Sequence, residues 1–254
     1  MDFDFTETFK KYEALAAEAD MVFERVRRLH GDLVHCSTGC SECCFALFDL
    51  SLVEAIYLNH RFNREYAGEE RSRILDKADH SEREYYKIKR KAAKAVQEGV
   101  PDTEILENLA RERIRCPLLN EKDLCDLYAY RPITCRLYGI PLDIGGKAQT
   151  CCKSGFKEGV SYPTVRIEKI QDRLIELSKE LVAGLETRHV KMADVLVPVG
   201  MALMNVYDEK YLGVGPEEDE GEVPVVRSRA AKASVPGFGE EAATWEIGGK
   251  EEGK

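Results

Sequence analysis

The sequence predicts a mainly α fold: helices packed around a cysteine-rich centre, with a small β-hairpin and a disordered C-terminal tail. Three observations predict it. Long stretches on either side of the centre carry apolar residues at helical steps of three and four. The nine cysteines all fall between residues 36 and 152 of a 254-residue chain. One Gly-Gly pair, Gly145-Gly146, separates two short extended runs, where the preferred hairpin turn needs positive φ at both central positions.

Residues 6–34 place Phe9, Tyr12, Leu15, Ala16, Ala19 and Phe23 on one face of an amphipathic helix, with Thr6 as its N-cap. Ser51-Leu52-Val53-Glu54 is a capping-box pattern that opens a second helix, running to about Phe62. Residues 67–99 read as a long charged helix, broken near His80-Ser81 and stopped by Gly99 with Pro101 beyond it. Asp102 or Thr103 starts a short helix that reaches about Arg113. Charge thins over 114–152, and a hairpin closed at Gly145-Gly146 returns Cys151 and Cys152 opposite Gly139 and Ile140, close to Cys135. Helix is expected again over about 163–184 and 191–209, the latter kinked at Pro198. These elements form a single domain over 1–212. Residues 213–254 are acidic, rich in Gly and Pro and aperiodic, and read as a disordered tail. Phe238 and Trp245 in it could dock on a protein partner; a solvated tail is the plainer reading.

Hydrophobic residues make up 44% of the chain and the net charge is −9. The tail holds ten acids and five bases, and the first 212 residues hold 36 acids and 32 bases. So balanced a body argues against a dedicated nucleic-acid surface. No stretch approaches the ~20 apolar residues that cross a bilayer, the longest being VLVPVGMALM at 195–204. The start, MDFDFTETFKKYE, lacks the apolar core of a secretory signal. The expected compartment is the cytoplasm, where thiols stay reduced and clustered cysteines bind metal or do redox work. A disulfide framework needs an oxidising compartment, and nine is an awkward count for it.

The cysteines form three groups. Cys36, Cys40, Cys43 and Cys44 make C-x3-C-x2-C-C. Cys116, Cys125 and Cys135 lie along CPLLNEKDLCDLYAYRPITCRLYG, and Cys151-Cys152 end the hairpin. Steps of four, three and four in the first group align sulfurs on one helical face, and a turn aided by Gly39 would converge them as well. Close spacing brings several metal ligands together at little entropic cost. The remaining thiols must be folded back onto them.

Two blocks carry a resemblance: CSTGCSECC with the Glu54-bearing helix after it, and Cys116-Pro117-Leu118-Leu119 followed by Cys125-x2-Tyr128-x2-Arg131-Pro132-x2-Cys135-Arg136-x-Tyr138. The segment 36–152 resembles the cysteine-cluster domains described as zinc- or iron-chelating, which include the flagellin lysine N-methylase relatives. The resemblance implies metal binding more strongly than it implies a reaction, and it places Arg131 and Arg136 in the motif.

All-sulfur ligation suits zinc, iron ions or an iron–sulfur cluster such as 4Fe-4S, with iron slightly preferred. Nine thiols exceed the four that one centre needs. Cys40, Cys43, Cys116 and Cys135 head the ligand set, followed by Cys36, Cys44, Cys125, Cys151 and Cys152; Cys44 and Cys152 could instead be merely buried. His35 is a further ligand candidate, His30 reads as the end of the first helix, and His60, His80 and His189 as surface or packing residues. Arg131 and Arg136 read as cofactor-side residues that offset thiolate charge, in preference to clamping a carboxylate substrate or pairing with Glu54 or Asp126. The function expected is a metal-binding protein. The alternatives are a metal-dependent enzyme of the protein-lysine methylase type and an iron-delivery or redox-sensing protein. No strand–GxGxG–helix for S-adenosylmethionine is present, and LGVGPEE at 212–218 follows a helix.

Overall fold

A computed structural model describes residues 3–215 and the backbone of Thr244 and Trp245. Helix α1 (Thr6–Leu29) buries Phe9, Tyr12, Leu15, Ala16 and Ala19 as expected, but the stripe ends on Val26, and Phe23 is half-buried. Its cap differs from expectation. Phe5 occupies the N-cap position, Thr6 is the first helical residue, and the Thr6 N–H donates to Asp4 Oδ1 at 2.9 Å. The helix ends at His30, whose ring packs edge-on against Tyr162.

Strand β1 (Asp49–Ser51) leads directly into α2 (Leu52–Glu65). The capping box is complete: Ser51 Oγ accepts from the Glu54 N–H, and Glu54 accepts from the Ser51 N–H. Nine of the fourteen residues of α2 are buried, so two cores share this helix. Leu52, Val53, Ile56 and Tyr57 face the larger core with α1. Leu58 and Phe62 face the smaller one.

Helix α3 (Gly68–Gln97) runs unbroken, contrary to the break expected near His80-Ser81. Ser81 is buried there and its hydroxyl donates to the Ala78 carbonyl at 2.9 Å, so the side chain is satisfied within the helix. Helix α4 (Asp102–Arg111) follows, and α5 (Ile133–Leu137) packs on α1. Strands β2 (Leu142–Ile144) and β3 (Lys147–Gln149) form the hairpin, with Gly145 at φ 62° and Gly146 at φ 79° as its turn. Strand β4 (Thr164–Arg166) lies parallel to β2 and opens α6 (Ile167–Ala183), so the helix expected from 163 begins with a strand.

The stretch 191–209 is not one kinked helix. Strand β5 (Leu196–Pro198) pairs antiparallel with β1, and Pro198 is the N-cap of the short helix α7 (Val199–Met204). Proline fits that junction because its fixed φ and missing N–H cost nothing where a helix begins. The buried Asn59 amide on α2 donates to the carbonyls of Ala202, Leu203 and Asn205 at 2.9–3.3 Å and so satisfies the C-terminal end of α7. Helix α8 (Glu209–Leu212) closes the body. Strand β6 (Thr244–Trp245) pairs parallel with β4, while the rest of the tail expected to be disordered, Phe238 included, lies outside the described residues. Among the described residues no helix is long and apolar enough to cross a membrane.

Candidate metal centre

The first cysteine block folds as two turns. The Cys40 N–H donates to the Ser37 carbonyl at 3.0 Å, with Gly39 at φ 85°, and Glu42–Phe45 then form a 3₁₀ turn. Of the two conformations its spacing allows, the turn is the one adopted.

The block is fastened at both ends. At its far end the Cys116 N–H donates to the Cys44 carbonyl at 2.7 Å, and the Ile114 N–H to the Phe45 carbonyl at 3.3 Å. At its near end the Gly155 N–H donates to the Leu33 carbonyl at 2.8 Å, which brings the Cys151-Cys152 turn alongside. Glu42, in the middle, ties the three groups together. Its carboxylate pairs with Arg113 and, at 3.3 Å, with Lys153, and the Cys152 thiol donates to it. Burial opposes its ionisation, yet these bonds hold it below the usual carboxylate range.

The loop 118–127 positions Cys116 and Cys125. Asn120 Oδ1 accepts from the N–H groups of Lys122 and Leu124, an isolated bridge joins Leu119 to Cys125, and the hydroxyl of Tyr66, which caps the C-terminal end of α2, donates to the Asp126 carbonyl at 2.9 Å. Cys135 sits on α5, whose first N–H, of Ile133, donates to Glu54 at 3.1 Å. That carboxyl is fully enclosed, and burial raises its pKa despite bonds from Ile133, Ser51 and the Tyr12 hydroxyl. Behind it, Cys36 rests against Gly139. A methyl group at 139 would overlap the Cys36 Sγ, so this close approach requires glycine.

Eight of the nine cysteines, all but Cys152, line one cavity of about 900 Å³, and all nine are free thiols. Burial raises Cys36 to about 11, Cys125 to about 11 and Cys116 to about 12, and raises Cys135 as well. Cys43 is raised first by its hydrogen bond to Cys44 and then by burial. Neighbouring thiols add to the rise in each case, because thiolates crowded in a partly dry space repel one another. Such a set is neutral by itself and becomes anionic only around a cation. Among the described residues no group of three His, Cys, Asp or Glu side chains stands close enough to hold a metal ion.

Arg131 and Arg136 line the cavity, but their carboxylate partner is neither Glu54 nor Asp126. Both pair with Asp20 of α1, Arg131 at 3.3 Å. Arg136 also donates to the carbonyls of Ala129 and Arg131, and Arg131 stacks on Tyr128 at 4.1 Å. The Arg131 charge still favours the anionic forms of Cys43 and Cys125. His35 does not line the cavity, and its two ring nitrogens sit 2.6 Å and 3.1 Å from the carbonyl oxygens of Lys153 and Asp32. His60, His80 and His189 are exposed.

Sequence reasoning missed Asp20, Glu42 and Glu82, all on the cavity wall. A signal for Asp20 was present. Asp20, Phe23, Glu24 and Arg27 recur at helical steps beside the apolar stripe of α1, and all four reach the cavity. No family model, curated protein or solved structure matches the chain.

Proposed function

We propose that the chain is a metal-binding protein whose thiols hold iron as an iron–sulfur cluster. The observation that carries the proposal is the single cavity with eight cysteines on its wall. All-sulfur ligation suits an iron–sulfur cluster as well as single zinc or iron ions, with iron preferred. The donor type suits iron, since the thiols are soft ligands from three segments and Arg131 supplies positive charge beside them. As they stand, no three of these side chains are close enough to hold one ion, so loading requires them to draw together. The likeness of both cysteine blocks to chelating domains supports the same reading. Bound there, a cluster supplies one-electron chemistry or a Lewis-acidic iron. Within the chain, Arg131 offsets the charge of Cys43 and Cys125, and Asp20 fixes that arginine.

Replacing Cys43 by Ser tests the proposal, because Cys43 couples to Cys36 in its own block and to Cys116, Cys125 and Cys135 of the second group. Anaerobically purified C43S is expected to bind less metal and to melt at lower temperature than the parent protein. Equal metal content and equal melting would remove Cys43 from the ligand set.

The cavity continues past the thiols to Ser81, Glu82 and Tyr85 of α3 and to Pro198, Val199 and Gly200. Burial raises Glu82 to about 7, the range in which a carboxyl exchanges protons near neutral pH. That end favours, as the second reading, a metal-dependent enzyme with its substrate between the thiols and Glu82; a protein-lysine methylase is one such case.

A further inference from the structure

We propose that the outward face of the second half of α3 is a docking surface for an acidic segment of a partner protein, with Tyr86 as the aromatic anchor beside a basic row. This face lies outside the cysteine cavity, and its use does not depend on whether that cavity takes up metal.

Helix α3 changes character along its length. Its buried residues, Ile74, Ala78 and Ser81, all precede Glu82, and from Arg83 to Gln97 it buries none. Over residues 83–97 there are six bases and one acid, Glu84. The chain as a whole carries −9 and this stretch contributes +5, so the other residues carry −14. The basic charge also has a direction. Arg83, Lys87, Arg90 and Lys94 follow at steps of four, three and four, which sets them in a row about 16 Å long on one helical face. By the same periodicity that face is opposite the one that Ile74, Ala78 and Ser81 bury. The row stays in water: the side chains of Arg83, Lys87 and Lys94 are 73%, 73% and 74% exposed, although each pairs with a carboxylate three or four positions away. Exposed pairs at that spacing are weak, so a competing carboxylate can displace them.

Two features select the partner. Tyr86, 66% exposed, stands three positions after Arg83 and four before Arg90, so its ring flanks the row. Tyrosine beside arginine is the combination that anchors protein interfaces. The second feature is the shortness of the row. A long polyanion such as nucleic acid would run on from it over a surface whose net charge is −14, and past Asp102, Glu104 and Glu107 of the adjoining helix α4. An acidic segment of about five extended residues, at about 3.3 Å each, covers the row and ends with it. Its carboxylates meet the four bases, and an apolar side chain next to them covers the Tyr86 ring.

The test is the binding of a fluorescein-labelled peptide, six glutamates followed by two leucines, to the full chain, read by fluorescence anisotropy. Raising the salt from about 50 mM to about 500 mM is expected to weaken binding at least about tenfold, because exposed charges are then screened. Arg90→Glu should weaken it about fivefold to tenfold at the lower salt. Lys147→Glu makes the same change of charge on the exposed strand β3 and should leave the affinity within about twofold. Tyr86→Ala should weaken binding about threefold to tenfold at either salt. No binding at the lower salt would overturn the docking face, and so would equal losses in Arg90→Glu and Lys147→Glu, which would reduce the effect to net charge. Indifference to Tyr86→Ala would overturn the anchor. Tighter binding of a short DNA duplex than of the peptide, lost in Arg90→Glu, would assign the row to nucleic acid and overturn the acidic protein partner.

Discussion

Glu54 is the residue on which the most separate parts of the site depend. It completes the capping box of α2, accepts from the first N–H of the helix carrying Cys135, and lies within reach of the Tyr12 hydroxyl of α1. Glu54→Ala leaves the Ile133 and Ser51 N–H groups buried without acceptors, and each such group costs about 1–3 kcal/mol. The expected loss is about 2–3 kcal/mol in urea unfolding with an unchanged slope; a loss below the precision of that measurement would contradict the role. Glu82 gives a pH signature. Its carboxyl ionises near 4.5 when unfolded and near 7 when folded, because burial disfavours the charge. The folded state therefore binds more protons between those values. Stability from this group falls as pH rises from 4.5 to 7 and is level above. In Glu82→Gln, compared in the same metal state, that fall should shrink; parallel pH profiles for the two proteins would disprove the shift. The capping role of Glu54 was legible from Ser51-x-x-Glu54, a local pattern with a local cause. Its bond to Ile133 was not, since 79 positions separate the two.

At the scale of elements, what was legible is what is short in sequence. The β2–β3 hairpin follows from Gly145-Gly146, because both turn residues adopt positive φ. Gly146→Val forces a β-branched residue to φ 79° and should lower stability by about 1–3 kcal/mol. The same change at Gly31, where a Cβ meets nothing and φ is ordinary, is the control. Equal melting of the two variants would show that the turn carries no such strain. The β1–β5 pair was illegible for the opposite reason. Three residues on each side are too few to show alternation, and about 150 positions lie between them. The apolar run around Pro198 therefore read as a kinked helix, although it holds the end of a strand and the start of α7. Asp20 illustrates the same limit. Its place on a face of α1 was readable, but its two arginine partners come from the α5 region and depend on how those helices cross.

At the scale of the molecule, α2 lies between two cores, and the three cysteine groups meet at a cavity walled by α1, α3, α5 and the loops between them. The crowding of thiols in the sequence suggested a convergent site; the folded chain puts eight of them on the wall of one cavity, with no three His, Cys, Asp or Glu side chains among the described residues close enough to hold a metal ion. A cavity walled by this many thiols has a clear thermodynamic consequence: a bound metal or cluster should stabilise the fold, since the unfolded chain cannot present the same ligands. The measurement that addresses the account most directly is the iron, zinc and acid-labile sulfide content of the anaerobically purified full chain, read together with its visible spectrum. The account predicts iron with comparable sulfide and a broad band near ~400 nm that bleaches on reduction, as iron–sulfur proteins show. A colourless protein with all nine thiols free to react and neither iron nor zinc bound would contradict it.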